Sequence, residues 1–209
     1  MGLYDVFSNV YDASVEKLYA EQREAAARAL ELTADAVVLD VPCGTGQSFG
    51  AIGERLGPGG MLIGVDASGG MLKRSMQRAN RELAPRSIPI ALIEADASRL
   101  DRASLAAQGC TRAVTHLHVF LGMSVFPAME RTFDALWDLL EPGGRCVIVD
   151  VHADRLGLQG RMVNAIARAD IRRRFWEPLE RVAAEFRRQD LAFRKEHGGQ
   201  IMLAYGRKR

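Results

Sequence analysis

The sequence predicts a doubly wound α/β fold, in which helices cover both faces of a mostly parallel β-sheet. Five short runs rich in apolar and β-branched residues alternate with segments of helical periodicity between residues 36 and 151. Turns rich in glycine and proline separate them, and the clearest are Gly57-Pro58-Gly59-Gly60 and Glu141-Pro142-Gly143-Gly144. This alternation is typical of βαβ units, whose crossover connections are right-handed.

The elements are predicted in order along the chain. A helix at about 14–30 precedes the first strand. Further helices are expected at 47–56, at 68–83 with Ser68 as the N-cap, and from Pro127 to residue 140. After residue 151 we expect Arg-rich helices over 154–188 and a closing hairpin of 191–195 and 200–206. The five strands of the parallel sheet are expected at 36–41, 61–65, 88–93, 113–119 and 145–151.

Composition excludes several classes of protein. The chain has 209 residues, of which 48% are apolar and 26% charged, and its mean hydropathy is −0.07, as in ordinary soluble domains. We find no apolar run of 18 residues, no signal-peptide pattern and no metal-type cysteine spacing, so we expect a cytoplasmic protein without a metal site. Residues 154–209 hold 14 Lys/Arg and 7 Asp/Glu. This basic segment is either a solvated surface or a contact for an anionic partner.

The strongest functional signal is the turn after the first strand, Val37-Val38-Leu39-Asp40-Val41-Pro42-Cys43-Gly44-Thr45-Gly46. In an open α/β sheet, ligands bind at the carboxyl ends of the strands, and glycines let them approach the backbone. The third glycine of the dinucleotide pattern G-x-G-x-x-G is missing here. Asp40, four residues before Gly44, favours a cationic ligand over a pyrophosphate. A nicotinamide-dependent oxidoreductase is therefore disfavoured.

Two more carboxylates follow the next two strands. Asp66 ends the second strand, where a carboxylate can accept hydrogen bonds from both hydroxyls of a ribose. Asp96 ends the third strand and could accept one from an adenine amino group, while the N–H of Ala97 could donate to a ring nitrogen. Each aspartate alone also suits a loop or a helix cap, but their spacing from the first motif favours a shared site.

Together these motifs resemble the class I S-adenosylmethionine-dependent methyltransferases over residues 11–151. Within this class, Tyr4-Asp5 and Tyr11-Asp12 resemble the branch with ubiquinone/menaquinone C-methyltransferases and small bacterial phospholipid N-methyltransferases. The fourth strand departs from the pattern, because many relatives have Phe-Asp where this chain has Thr111-Arg112. The matching segments, in the family's order, are VVLDVPCGTG (37–46), LIGVDASGGML (62–72), IEADA (93–97) and LLEPGGRCVIVD (139–150).

The resemblance implies a Rossmann-like sheet of seven strands, with the last two in an antiparallel hairpin, and S-adenosyl-L-methionine as the cofactor. It implies one methyltransferase domain over 1–209, with a helical lid at 1–35, a cofactor-binding core at 36–151 and acceptor-side elements at 152–209. The residues that it implies for cofactor binding are Gly44 and Gly46 (methionine and ribose), Asp40 (amino group), Tyr11 (carboxylate), Asp66 (ribose), Ala67 and Met71 (adenine faces), and Asp96 and Ala97 (adenine edge).

Three histidines are candidates for catalysis. His116, His118 and His152 are expected at the carboxyl ends of strands four and five, where a neutral imidazole could act as a general base. Asp150 could pair with His152 and raise its basicity. Each histidine could instead be a structural, hydrogen-bonded residue. Likewise, Arg172-Arg173-Arg174 could bind an anionic acceptor or form a solvated helix face.

These observations predict methyl transfer to a small-molecule or lipid-like acceptor. One alternative is phospholipid amine N-methylation at a membrane surface, because the basic C-terminal segment and the N-terminal helix suit peripheral contact with a bilayer. Another is a non-catalytic module that binds the cofactor. Nucleic-acid binding is disfavoured, because the positive charge is spread over ordinary helix positions. The acceptor atom and the oligomeric state are not encoded in any motif that we find.

Overall fold

A single seven-stranded β-sheet organises the protein, whose computed structural model describes residues 16–209. Its strands are β1 (Val37–Asp40), β2 (Met61–Asp66), β3 (Ile90–Glu94), β4 (Val114–Phe120), β5 (Leu140–His152), β6 (Ala184–Asp190) and β7 (Gln200–Arg207). Their order in the sheet is β3-β2-β1-β4-β5-β7-β6. Strands β1 to β5 are mutually parallel, and β7 is antiparallel to both β5 and β6. The predicted doubly wound sheet with an antiparallel closing pair is confirmed.

Helices connect the parallel strands and cover the sheet. They are α1 (Ala20–Ala29), α2 (Phe49–Gly53), α3 (Gly69–Glu82), α4 (Arg102–Ala107), α5 (Met129–Leu139), α6 (Leu158–Ala167) and α7 (Glu177–Val182). The predicted N-cap of α3 is confirmed, because the Ser68 hydroxyl accepts a hydrogen bond from the Met71 N–H at 3.3 Å. Within residues 16–209, none of these helices is both long and apolar enough to cross a bilayer.

Alternate side chains of the central strands enter two separate apolar cores. Val37 and Leu39 of β1 belong to one core and Val38 to the other, because successive side chains of a strand point to opposite faces. Asp40 shares the face of Val38. At the sheet centre, Asp40 pairs in register with Gly64 of β2 and with His118 of β4. This register brings β1 and β4 side by side at the edge where ligands bind in open α/β sheets.

The segment after β5 departs from the prediction. The first strand of the closing pair is β6 at Ala184–Asp190, not 191–195, and it replaces the end of the expected helical region. β6 is an edge strand whose side chains are mostly exposed and charged. Such a sequence has the composition of a solvated helix, and charged residues are also how proteins protect a sheet edge. The N-terminal helix is described only from residue 16 onward, so Tyr11 lies outside the described residues.

Candidate active site

The turn after β1 has two glycines with different roles. Both have positive φ angles, +54° at Gly44 and +78° at Gly46, which glycine adopts without strain. A Cβ on Gly46 would lie 2.6 Å from the Phe49 ring, so this glycine is needed for packing. A Cβ on Gly44 would meet nothing within 4 Å. Gly44 therefore presents open backbone to a ligand, whereas Gly46 is fixed by the aromatic ring behind it.

Asp66, the last residue of β2, ties this turn to the neighbouring strand. Its Oδ2 accepts a hydrogen bond from the Gly44 N–H at 2.9 Å, and its Oδ1 accepts one from the Ser68 N–H at 2.9 Å. Burial raises the pKa of the Asp66 carboxyl, and the charge of Asp40 adds to this effect, while the two N–H donors oppose it. Each carboxylate oxygen keeps a lone pair for a further donor. Asp66 can therefore order the loop and still accept a hydrogen bond from a ligand.

The end of β3 continues the same edge of the sheet. Asp96 is exposed, and its Oδ1 accepts hydrogen bonds from the Ser98 N–H at 2.9 Å and from the Ser98 hydroxyl at 2.8 Å. These bonds lower the pKa of Asp96 and keep it ionised. The Ala95 N–H donates to the Asp66 carbonyl at 3.1 Å, which holds the two strand ends together. Ala97 is buried beside Asp96, whereas Ala67 is exposed and Met71 half-buried at the start of α3.

A buried acid–imidazole pair lies at the carboxyl end of β1. The Nδ1 atom of His118 is 2.7 Å from Oδ1 of Asp40, and both side chains are almost completely buried. An ionised carboxylate only accepts hydrogen bonds, so the bond requires a proton on Nδ1. Within the described part of the chain, the other atoms, Asp40 Oδ2 and His118 Nε2, have no hydrogen-bond partner. Buried polar atoms are rarely left unsatisfied, so these two indicate a missing partner.

His116 does not lie at the ligand edge, and its predicted placement there is wrong. It is the third residue of β4, pairs with Val38 of β1 and contacts the Thr115 hydroxyl at 2.7 Å. Burial lowers the pKa of His116 to about 4, and the positive charges of Arg207 and Arg145 act in the same direction. The sequence predicts strand four over 113–119 and β4 runs over Val114–Phe120, so His116 is four residues before its carboxyl end. His116 therefore lies toward the amino end of the strand.

The expected pair of Asp150 and His152 does not form. Asp150 accepts hydrogen bonds from the N–H and the hydroxyl of Ser124, both at 2.8 Å, and burial raises its pKa to about 6. Asp150 therefore fastens the loop after β4 to the end of β5. Sequence reasoning missed Ser124, since only the three-dimensional neighbourhood of β4 and β5 brings it to Asp150.

His152 is the last residue of β5 and lies at the carboxyl end of the sheet. Its Nδ1 is 3.2 Å from the Arg173 carbonyl oxygen and its Nε2 is 3.2 Å from Oδ1 of Asp154. The Trp176 ring stands edge-on against it, with ring centroids 4.9 Å apart. The His152 side chain is 11% exposed. Of the three predicted histidines, it alone combines a place at this edge with access to solvent.

The three arginines after α6 are engaged within the protein. Arg172 contacts Asp170 at 3.2 Å and Arg174 contacts Glu177 at 3.4 Å. Arg173 donates a hydrogen bond to the Phe126 carbonyl at 2.6 Å. These contacts favour a structural role over an anion clamp.

Sequence reasoning also missed Arg78, a buried arginine that donates a hydrogen bond to the backbone of the glycine turn. Its Nε donates to the Thr45 carbonyl at 3.3 Å, and its terminal nitrogens contact the Glu16 carboxylate at 2.7 and 2.9 Å. The hydrogen bond with Glu16 raises the pKa of Arg78 further. The signal was present in the periodicity of α3, because Arg78 falls on the same helix face as the buried Ser75 and Leu72.

Comparison with known proteins agrees with this geometry. A family model described as "methyltransferase domain" matches residues 38–144, slightly more than half of the chain. A demethylmenaquinone methyltransferase from Desulfitobacterium hafniense is 26% identical over 148 residues. That match covers 71% of this chain and 54% of the relative, so the chain spans about half the length of that protein.

Two solved structures have the same fold. The geranyl diphosphate C-methyltransferase from Streptomyces coelicolor superposes with a TM-score of 0.70 at 16% identity, over 94% of this chain and 82% of that one. The N-methyltransferase NodS from Bradyrhizobium japonicum gives 0.67 at 15% identity, over 97% and 98% of the two chains. Given the matching family model, the seven-stranded sheet and the motifs at its carboxyl edge, the chain belongs to the methyltransferase domain family, in the class I S-adenosylmethionine-dependent group.

Proposed function

We propose that this protein transfers a methyl group from S-adenosylmethionine to a small, lipid-like acceptor. The observation that carries the choice of acceptor is the outer face of α6. Leu158 is 79% exposed there, Ile166 57% and Met162 48%, so this one helix carries three of the six large apolar side chains exposed in residues 16–209. A concentrated apolar surface on a protein marks a contact site.

The position of α6 places this face near the acceptor side. The helix packs on the short turn Lys195–His197, which two glycines separate from Gln200, the β7 residue that pairs with His152. Beyond α6, the Asp170 N–H donates to the Ser124 carbonyl at 2.8 Å. The segment therefore crosses the carboxyl ends of β4 and β5. An apolar acceptor that reaches this edge would pass the exposed face of α6.

The residues at the carboxyl edge suit the cofactor. The unsatisfied Oδ2 of Asp40 fits its ammonium group, and the open backbone at Gly44 leaves room for its methionine portion. Asp66 would hold the ribose hydroxyls, with Ala67 and Met71 beside the adenine. Asp96 and the N–H of Ala97 would bind the adenine edge. The resemblance also assigns Tyr11 to the cofactor carboxylate, and that assignment remains a prediction.

When bound, the cofactor would supply an electrophilic methyl group; the acceptor atom would bond to the methyl carbon, and the sulfur would leave in line as a neutral thioether. The protein's part is to align the acceptor and, where necessary, to remove its proton. With Nδ1 donating to the Arg173 carbonyl, Nε2 of His152 is the atom that can take the proton, and the exposed Asp154 carboxylate must turn away from Nε2 until that proton arrives. The imidazolium formed would donate from Nε2 to Asp154. His116 has no part in this assignment, and His118 belongs to the buried pair.

The names of two relatives support an apolar acceptor. One is a demethylmenaquinone methyltransferase and the other a geranyl diphosphate C-methyltransferase, and both named molecules carry an isoprenoid chain. A second candidate is phospholipid amine N-methylation at a membrane surface. Arg155, Arg161 and Arg168 lie on or beside α6, so positive charge lies beside the apolar face. Apolar residues edged by arginine are typical of helices that lie on anionic bilayers.

The test is an acceptor panel read by formation of S-adenosylhomocysteine. It compares a demethylated prenyl quinol, phosphatidylethanolamine vesicles and a water-soluble phenol. We expect turnover with the quinol, and faster turnover when the quinol is carried in anionic vesicles. Turnover with phosphatidylethanolamine alone would favour the second candidate. Tight cofactor binding without turnover on any acceptor would contradict both and favour a non-catalytic module.

Paired variants test the role of α6. Met162→Ser removes an apolar side chain from its exposed face, and Met76→Ser removes one of similar exposure, 44% against 48%, from α3. We expect Met162→Ser to raise KM for the quinol and to weaken vesicle binding, and Met76→Ser to change neither. Equal effects of the two variants would remove α6 from the acceptor site.

A further inference from the structure

The connecting loop between β6 and β7, residues 191–199, lies between the N-terminal segment 16–23 and the acceptor side of the sheet. On the first side, the Gln22 side chain donates a hydrogen bond to the Ala192 carbonyl. On the second side, the loop packs on α6 and on the end of β5. His197 lies in this loop and contacts the N-terminal segment directly.

His197 is fully buried, and both of its ring nitrogens are hydrogen-bonded. Nδ1 accepts a hydrogen bond from the Arg194 N–H at 2.6 Å, so in the neutral ring the proton is on Nε2. Nε2 then donates to the Leu18 carbonyl oxygen, 3.1 Å away, and the Tyr19 ring lies against the imidazole with centroids 4.7 Å apart. One bond therefore fixes the turn of the loop itself, and the other connects the loop to the N-terminal segment.

Two glycines of the connecting loop allow close packing on the acceptor side. A Cβ on Gly198 would lie 3.0 Å from the Val163 side chain of α6 and 3.1 Å from the Cα atom of Gly160. A Cβ on Gly199 would lie 2.6 Å from the carbonyl oxygen of His152, at the end of β5. Because these contacts leave no room for a side chain, a displacement of the loop would displace α6 or the strand end with it.

The N-terminal segment is also bonded to the glycine turn after β1. The Glu16 carboxylate contacts Arg78, whose Nε donates to the Thr45 carbonyl at 3.3 Å. Arg23 donates to the Glu16 carbonyl at 2.9 Å and to the side chain of Gln47. The same short segment therefore contacts the turn that faces the cofactor and, through the buried histidine, the loop that packs on α6.

We propose that His197 is a positioning residue for the acceptor. Its bond to Leu18 holds the connecting loop, and with it α6, against the segment that is bonded to the glycine turn. Filling the cofactor site orders that turn and the N-terminal segment, and the bond from His197 extends this order to α6. This inference rests on the proposed function, because α6 is the helix that the acceptor passes there. His197 acts through the loop and not by contact with the acceptor.

Two substitutions separate the two bonds of His197. Asparagine places its Oδ1 near the position of Nδ1, so His197→Asn keeps an acceptor for the Arg194 N–H and loses the donor to Leu18. Glutamine places its terminal amide near the position of Nε2, so His197→Gln keeps that donor and loses the local acceptor. Both variants lose the ring contact with Tyr19. His116→Asn, which removes a buried imidazole from the interior of β4, controls for a general loss of stability.

The first readout is methyl transfer to the demethylated prenyl quinol. The loss of one neutral hydrogen bond changes an equilibrium by a factor of about 2–10. We therefore expect His197→Asn to raise KM for the quinol about fivefold, with kcat and the affinity for S-adenosylhomocysteine within about twofold of the wild type. His197→Gln should have a KM near that of the wild type, and so should His116→Asn. An unchanged KM in His197→Asn would overturn the inference, as would equal increases in the asparagine and glutamine variants.

The second readout, amide hydrogen exchange, needs no acceptor and can be made on the wild type alone. We expect S-adenosylhomocysteine to slow exchange in α6 more than in α7, a second helix after β5, which packs on β7 and α5. His197→Asn should abolish this difference and His197→Gln should retain it. Equal slowing of the two helices in the wild type, or none in α6, would overturn the inference even if the quinol is methylated. A wild type that fails to bind S-adenosylhomocysteine in isothermal titration would instead overturn the proposed function, and the inference with it.

Discussion

Removing the Asp66 carboxylate should lower both the free energy of unfolding and the affinity for S-adenosylhomocysteine, and the two effects can be measured separately. In Asp66→Ala, the N–H groups of Gly44 and Ser68 lose their acceptors, both at 2.9 Å. In Asp66→Asn, one oxygen is kept and the other becomes an NH₂ group, which faces an N–H donor. The alanine variant therefore loses two bonds and the asparagine variant one. Any contact of the carboxylate with ribose is lost or weakened in both.

The magnitudes follow from these contacts. A hydrogen bond to a charged group contributes about 1.5–3 kcal/mol when it is well buried. Because Asp66 is half-buried and water can replace part of each bond, we expect Asp66→Ala to lower the free energy of unfolding by about 2 kcal/mol and Asp66→Asn by about half of that. Loss of the ribose contact should weaken S-adenosylhomocysteine binding by a further factor of about 10–100 in the alanine variant.

Urea denaturation without ligand measures the first effect, and isothermal titration of the folded variants measures the second. Asp134→Asn, an exposed aspartate on α5, serves as the control for loss of a negative charge. We expect the control to change neither quantity. Wild-type affinity in Asp66→Ala would show that the carboxylate does not contact the ribose. Wild-type stability would contradict its role in ordering the glycine turn.

Three other variants test the remaining assignments. His116→Gln should retain wild-type turnover, and it should reduce the loss of stability on acidification from about pH 6.5 to pH 4, because protonation of the buried His116 ring favours the unfolded chain. Asp150→Asn should abolish the fall in stability that the wild type shows as the pH rises from about 4 to about 6, because the raised pKa of Asp150 makes the native state bind one more proton than the unfolded chain in that range. Urea denaturation as a function of pH measures the effects of both variants. A pH dependence equal to that of the wild type would contradict either prediction. His152→Gln should lower kcat at least about tenfold with unchanged S-adenosylhomocysteine affinity, and an unchanged kcat would exclude it as the proton acceptor.

The parallel core of the sheet was predictable because each of its signals is local. Strand, glycine turn and capped helix succeed one another within short windows, as at β2, Asp66 and Ser68. Asp66 and Asp96 could be assigned to one edge of the sheet because parallel strands end together. The closing strand β6 was not predictable in the same way. Its charged, solvent-facing residues fit a helix or an edge strand equally well, and only pairing with β7 decides between them.

The histidines demonstrate a second limit, which is the length of a strand. His116 and His118 are two residues apart and share a face of the strand, so the sequence pattern predicts the same position at the ligand edge for both. Pairing with the short strand β1 separates them. His118 lies opposite Asp40, the last residue of β1, whereas His116 lies opposite Val38 in its interior. A shift of two residues along the strand thus separates a histidine bonded to the motif carboxylate from one that contacts the Thr115 hydroxyl.

The register between β1 and β4 is therefore the feature on which the site depends. It pairs a carboxylate from the most recognisable motif of the chain with an imidazole from its least typical strand, and Asp40 Oδ2 and His118 Nε2 have no hydrogen-bond partner in residues 16–209. Asp66 likewise connects two loops, because its two oxygens accept hydrogen bonds from Gly44 in the turn after β1 and from Ser68 at the start of α3. Each of these side chains bridges two strand connections and also faces the ligand edge. In the proposed function the same groups order the loops and recognise the cofactor, so we expect cofactor binding to stabilise the β1 and β2 turns together.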